Sequence, residues 1–251
     1  MNSLESIRFN IINLEEIDST NIYASQLINE NKATEGTVIV AKNQISGKGQ
    51  AESKWESKPG ENLTFSIIFC PTFLPVANQF SLSKSISLAI IDFLRTLGIK
   101  KIYIKWPNDI YVGDKKIAGI LIENRIIGTE YKVAIVGLGI NINQTVFSSN
   151  IPNPTSLRII LNKELNISNC LNSILNSLNK RYRLLKTKDY QQIDKDYLLS
   201  LYKLNQWATY SYQSENIIAK ITGVNLYGKL ILEKENKEKI ECDLKEIKYM
   251  H

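Results

Sequence analysis

The chain has 251 residues, 43% of them hydrophobic and 22% charged, with a formal net charge of +6. That is enough chain for one full core and a small second one, and no apolar run approaches the roughly 20 residues that a bilayer crossing takes. Its single histidine is the last residue, His251, and Cys70, Cys170 and Cys242 are scattered without CxxC spacing, which leaves histidine-based nucleophilic triads, histidine-ligated metals and thiolate zinc sites without participants. Chemistry here must run on Lys, Asp, Asn, Gln and backbone groups, a set suited to phosphate and carboxylate. The basic balance fits a nucleic acid, an acidic protein or an anionic substrate, and equally a biased composition rich in Lys, Asn and Ile. The opening MNSLESIRFNIINLEE lacks a basic head, apolar stretch and small-residue cleavage site, so a cytoplasmic protein is expected.

In chain order, a strand is predicted at residues 9 to 16, followed by Asp18-Ser19-Thr20-Asn21 and a helix with Ile22, Ala24, Leu27 and Ile28 at helical spacing. Asp18 or Ser19 is its expected N-cap. GTVIVAKNQ and NLTFSIIFCP read as strands, the second halted by Pro71, with a polar glycine-bearing loop between them. Residues 80 to 97 carry a helical apolar pattern ending at Gly98, a suitable C-cap. Three strand candidates follow, KIYIKW, KIAGILIE and KVAIVGLGINI, with turn chemistry at Pro107-Asn108-Asp109 and a hairpin at Gly113-Asp114. Residues 169 to 202 are helical by periodicity, with a second short helix around 189 to 200. From Trp207 the pattern becomes five short strands, ATYSY, IIAKITGV, GKLILEKE, KEKIECDL and EIKYM. They suggest a small β-barrel that is marginal alone unless it packs on the larger part.

Four segments place polar residues or glycines at strand ends, where a sheet can gather them. They are Ser19-Thr20-Asn21, the stretch from Gln44 to Trp55, KWPNDIYVGDKKIAGILIE, and VGLGIN from Val136 to Asn141. Each has a plain structural reading as a cap, a solvated hairpin, a turn or a core strand. Their occurrence together, in this order, is what carries information.

The combination of STN, GKGQ with its tryptophan, KWPND followed by KKIAGILIE, GLGIN and the closing GVNLYGKLIL resembles the biotin protein ligase family over nearly the whole chain. KWPND followed by KKIAGIL is the most specific element, since a loose GxG alone counts for little. Eighteen residues precede Ser19, fewer than the winged helix-turn-helix of the family's repressor members, so the chain resembles the monofunctional form with no specific DNA binding. The resemblance implies an α/β (α+β) fold: a mixed sheet flanked by helices, like a class II aminoacyl-tRNA synthetase, over residues 1 to 204, and a small SH3-like barrel over 205 to 251. It implies a cytoplasmic enzyme, a monomer or weak homodimer, that joins biotin to ATP with Mg2+, giving biotinyl-5'-AMP, and passes biotin to a lysine of a biotin carboxyl carrier protein. A lipoate ligase and, from another class, a basic nucleic-acid-binding regulator are the alternatives.

Adenylation brings a carboxylate to an α-phosphate, anion against anion, and needs cations as charge moves to pyrophosphate. Lys48, Lys105 and Lys116 are the candidates; the resemblance puts Lys116 at the carboxylate and α-phosphate, and Lys48 in a loop closing over the ligands. Biotin's ureido head has two N–H donors and one carbonyl and needs polar partners when buried, for which Ser19, Thr20, Asn21 and Gln44 are expected. Gly119 would let the rest of the ligand approach the backbone. By resemblance Trp55 borders the adenine and Asn141 contacts the base, although a core tryptophan is also consistent with the sequence. Asn108 belongs to the same turn as Asp109, which orients the acceptor ammonium, takes its proton or helps hold magnesium. Gly47 and Gly49 are expected to let backbone N–H groups approach phosphates in a loop that orders with ligand. Where many members have GRGRxGR, this chain has Gln50 for an arginine and Glu52 for a glycine. Both changes are expected to weaken retention of the adenylate.

Overall fold

The structure is a computed structural model and describes residues 6–50, 53–149 and 151–250. Its centre is a seven-stranded mixed sheet in the order β1-β2-β3-β7-β6-β5-β4. The strands are β1 (Asn10–Ile17), β2 (Thr37–Gln44), β3 (Leu63–Phe69), β4 (Ile102–Lys105), β5 (Asp109–Val112), β6 (Lys115–Ile127) and β7 (Glu130–Ile140). β1 and β2 pair in parallel, and every other neighbouring pair is antiparallel. Between β1 and β2 runs α1 (Thr20–Asn29), the crossover that a parallel pair requires.

Alternation along the strands assigns the two faces. Leu63, Phe65, Ile67 and Phe69 of β3, with Val136, Leu138 and Ile140 of β7, join the main core, whereas Ile39, Ile68 and Ile135 pack under Ala24 and Leu27 of α1. The main core is closed by α2 (Phe80–Thr96), whose expected end at Gly98 is borne out by a φ of +78° there. After a short α3 (Leu157–Leu161), α4 (Ile167–Lys186) and α5 (Tyr190–Leu199) complete the helical layer, α4 burying Leu171, Ile174, Leu175, Leu178, Tyr182 and Leu185 as its periodicity predicts. Neither β5 nor α3 stands out in the sequence; four and five residues are too short to show a period.

The five strands expected at the end are all present: β8 (Trp207–Tyr212), β9 (Glu215–Val224), β10 (Leu230–Lys234), β11 (Lys239–Cys242) and β12 (Ile247–Tyr249). They form one antiparallel sheet in the order β11-β10-β9-β8-β12, consistent with an SH3-like module. Tyr210, Ala219, Ile221, Leu230, Leu232 and Cys242 are buried in the same continuous cluster as the central sheet and α2. Trp106 adds a polar link, its Nε1 donating to the Gly228 carbonyl at 2.9 Å. Shared burial supplies the core that some 45 residues cannot build alone. None of the described helices is long and apolar enough to cross a membrane.

Because that core is continuous, a cavity made in the C-terminal sheet should weaken the whole chain. Leu232→Ala, at a side chain with no exposure, is expected to cost about 2–5 kcal/mol. Calorimetry should then show one transition at a lower temperature, and an unchanged main transition with a separate early one would show that the sheet unfolds by itself.

Candidate active site

A cavity of about 240 Å3 opens on the α1 face of the sheet, beside the first turn of the helix. Ser19, Thr20, Asn21, Gln44, Lys48, Gly49, Gln50, Trp55, Asn108, Asp109, Lys116 and Gly119 all line it. These are twelve of the positions singled out in the sequence, and they come from three of its four polar or glycine-bearing segments.

Its polar end is made by the start of α1 against β2 and β3. Ser19 occupies the N-cap position, yet its side chain makes no capping hydrogen bond, so the capping role does not account for its hydroxyl. The Thr20 backbone N–H donates to Gln44 Oε1 at 2.8 Å, and the Thr20 hydroxyl lies 3.0 Å from the same oxygen. Behind them Ser66, on the α1 face of β3, sits 2.7 Å from Thr20 Oγ1 and 2.6 Å from Asn21 Oδ1. Asn21 Nδ2 donates to Glu123 Oε2 at 2.7 Å. Ser66 and Glu123 escaped the sequence reading. The available signal was the pair Thr64 and Ser66, polar at alternate positions of a strand that is otherwise apolar and entirely buried.

The floor is a patch where the sheet has no side chains. Gly119 of β6 pairs with Gly139 of β7, and Gly137 lies opposite Leu121 on one side and Ser66 on the other. A Cβ on Gly139 would sit 2.5 Å from Cζ2 of Trp55, and one on Gly137 would overlap Asn21 Oδ1. The indole and the Asn21 amide therefore rest directly on backbone. Trp55 Nε1 is buried with no hydrogen-bond partner among the described residues, a donor that a ligand acceptor could use.

The charged end depends on a β-bulge. Lys116 and Gly119 are three residues apart and would face opposite ways in a regular strand. The register between β5 and β6 shifts at Ile110/Tyr111, and the extra residue turns Lys116 onto the cavity face, as bulges beside functional sites commonly do. There Lys116 Nζ meets Asp109 Oδ1 at 2.7 Å and stands 5.7 Å from the Trp55 ring centroid. Asn108 is fastened to β6 in both directions, its Nδ2 donating to the Ile120 carbonyl at 2.8 Å and its own carbonyl accepting from the Ile120 N–H at 3.0 Å.

Residues 44–50 and 53–55 form two arms beside the cavity, joined by an antiparallel bridge between Lys48 and Lys54. The Gly49 N–H donates to the Ser53 carbonyl at 2.7 Å, so this amide, expected to face phosphate, is engaged within the loop. Gly47 and Gly49 serve the close approach of the two arms instead: a Cβ on Gly47 would lie 2.5 Å from the Trp55 carbonyl oxygen, and one on Gly49 would overlap Ser53 Oγ. Glu52 lies outside the described residues. Ser53 and Lys54, which also line the cavity, were passed over in the sequence.

Three expected positions are elsewhere. Gly47 packs behind the Trp55 backbone. Asn141 is buried, its Nδ2 donating to the Thr155 carbonyl at 2.9 Å, and it is not part of the cavity wall. Lys105 turns toward the C-terminal sheet, with Nζ 3.2 Å from the Tyr111 hydroxyl and 4.9 Å and 4.8 Å from the Tyr111 and Tyr249 ring centroids. Burial holds its amine below the usual lysine range, with Asp109 opposing that effect and Lys116 and Lys203 adding to it. Two tyrosine rings cradle this cation.

A mixed sheet with a glycine floor carries, in one cavity, a polar seat at one end and a lysine beside a carboxylate at the other. Residues 14–141 match the Biotin/lipoate A/B protein ligase family, and the chain belongs to that family. The bifunctional ligase/repressor BirA of Bacillus spizizenii is 30% identical over 227 residues, 88% of this chain and 66% of that protein. The BirA of Escherichia coli is 38% identical over 128 residues, 51% of this chain and 39% of that protein. The chain thus spans less than two thirds of the length of either relative. Among solved structures, biotin protein ligase from Aquifex aeolicus in complex with biotin and ATP superposes with a TM-score of 0.79 at 26% identity, over 96% of this chain and 99% of that one.

The glycine floor gives a direct test. Gly139→Ala should drive the indole off the sheet while the fold is kept, and acrylamide should then quench a larger share of the tryptophan emission, because Trp106 stays buried and Trp207 is already half-exposed. An unchanged quenching curve would mean that Trp55 does not lie where the packing puts it.

Proposed function

We propose that this chain is a biotin protein ligase, which activates biotin with MgATP and transfers it to a lysine of a biotin carboxyl carrier protein. The observation that carries the reading is one cavity joining a hydrogen-bonding seat, a glycine floor under Trp55 and the Lys116–Asp109 pair. A carrier-bound dithiolane has no hydrogen-bonding ring, so a seat of Ser19, Thr20, Asn21 and Gln44 favours a cyclic urea over a lipoyl head. Leaving those groups dry and unpaired against an apolar ring would cost affinity.

In the first step a biotin carboxylate oxygen attacks the α-phosphorus of ATP, the bond from that phosphorus to the α,β-bridging oxygen breaks, and pyrophosphate leaves with the electron pair. Lys116, beside Asp109 and Trp55 in the same cavity as the seat, neutralises the two approaching anions. Lys48 and Lys54, on the two arms beside the cavity, supply further positive charge toward the departing pyrophosphate. The buried Trp55 N–H offers a donor and the indole a wall. In the second step the acceptor amine attacks the acyl carbon and AMP leaves, its phosphate again facing Lys116. Asp109 is the one carboxylate lining the cavity among the described residues, placed to draw the incoming ammonium and take its proton. Magnesium would enter with ATP, held chiefly through its phosphates with one or two carboxylates as this ion commonly is, and Asp109 is the carboxylate that could serve it.

Pyrophosphate exchange into ATP tests the reading. Wild type should exchange with biotin and not with lipoate, and exchange with lipoate alone would reverse the assignment. Lys116→Ala should lower the exchange by about a thousandfold, the effect of losing roughly 4 kcal/mol of transition-state stabilisation, with an unchanged circular dichroism spectrum. Near-normal exchange in that variant would remove Lys116 from the chemistry.

A further inference from the structure

The hydrogen bonds behind the polar seat have only one consistent direction, and Glu123 dictates it. A carboxylate accepts only, so the Asn21 atom 2.7 Å from Glu123 must be its NH2 group, and Oδ1 must face Ser66. Oδ1 in turn only accepts, so the single Ser66 proton goes to Asn21. Ser66 then has none left for Thr20, 2.7 Å away, and must accept there. The Thr20 proton is thereby directed at Ser66 and at Gln44 Oε1, both acceptors. Gln44 Oε1 is fixed independently by the Thr20 backbone N–H. What this chain leaves for a ligand is the Thr20 lone pairs, which accept, and the Gln44 NH2 group, which donates; the Ser19 hydroxyl, outside the chain, can turn either way.

Those remaining groups match a ring that donates through N–H and accepts through C=O. Neither Ser66, which has no exposure, nor Glu123 lines the cavity. Gly137 completes the device, because the absence of its side chain is what admits the Asn21 amide between Ser66 and Glu123. We propose that Glu123 is a specificity-determining positioning residue: acting through Asn21 and Ser66, it locks the seat in the polarity that selects a cyclic urea. This inference rests on the biotin ligase reading and adds to it a residue two hydrogen bonds removed from the ligand.

The test compares biotin with 2-iminobiotin, in which an imine N–H donor replaces the ring carbonyl acceptor, by pyrophosphate exchange. Glutamine at 123 can present either its oxygen or its NH2 group, so in Glu123→Gln the chain of hydrogen bonds is free to reverse. Its KM for biotin should rise about tenfold, the effect of one misdirected buried hydrogen bond, with kcat and the KM for ATP within about twofold. Its preference for biotin over 2-iminobiotin should shrink by a similar factor. Ser66→Ala, which cuts the chain in the middle, should shrink the preference too. Asn21→Asp combined with Glu123→Gln should restore it, since an acceptor-only residue again faces Ser66 and the glutamine NH2 donates to it. Equal losses for both ligands in Glu123→Gln would mean mere support of the fold and overturn the proposal, as would an unchanged preference. If wild type itself gives no biotin-driven exchange, the ligase reading fails and not this inference alone.

Discussion

Close approach to bare backbone is the constraint on which the site depends. A β-sheet normally covers itself with side chains on both faces, and a ligand or ring laid on it would rest on methyl groups. At Gly119, Gly137 and Gly139 that cover is missing over adjacent positions of β6 and β7, and two different side chains use the space. Trp55 comes down on the Gly119–Gly139 pair and Asn21 on Gly137. One stripe therefore sets both the depth of the aromatic wall and the height of the polar seat. Glycine weakens a strand interior through lost entropy and lost packing; here β6 and β7 are long, central and paired on both sides, which keeps the stripe in place.

The second constraint is register. Alternation alone would put Lys116 under the sheet, in the core with α2, where an ammonium has no place. The bulge in β6 resolves this conflict by adding one residue, and it does so where the register shifts between Ile110 and Tyr111 of the strand that begins at Asp109. The pair so formed is partly open, with side-chain exposures of 24% and 22%, so solvent and an incoming phosphate can compete for the lysine. A fully buried pair would resist exchange of partners, because removing either member strands the other charge. Partial exposure suits a cation that must answer first to Asp109 and then to substrate.

The sequence displayed the elements with strong periods and displayed poorly whatever depends on long-range register. β1 and α2 fall within a residue of where their patterns put them, and the five C-terminal strands are all recognisable by alternation. The twelve cavity residues were findable because their segments end in polar groups or glycine. Lys105 lies outside the cavity lining for a physical reason: Asn108 and Asp109 of KWPND face the cavity, but an edge strand gives a long side chain a second outlet, and two tyrosines fill it. Asn141 is engaged elsewhere in this structure, because a polar residue at a strand end can equally satisfy a loop, here the Thr155 carbonyl. Ser66 was hidden by lying one layer behind the wall and Glu123 by being an exposed carboxylate like many others; only the three-dimensional hydrogen-bond pattern gives them a role.

The run from Lys105 to Asp109 shows how one motif can serve two surfaces. Asp109 and Asn108 work on the cavity side, the first paired to Lys116 and the second fixed to β6. Lys105 and Trp106 work on the other, against Tyr249 and the Gly228 carbonyl of the C-terminal sheet. Lys105 and Asp109 are also direct register partners across β4 and β5, so the caged lysine is held on the same short hairpin as the carboxylate. A hairpin of four-residue strands at a sheet edge has little intrinsic rigidity. Its order comes from being gripped on one side by the C-terminal sheet and on the other by β6, and that makes the small sheet part of what aims Asp109 at Lys116.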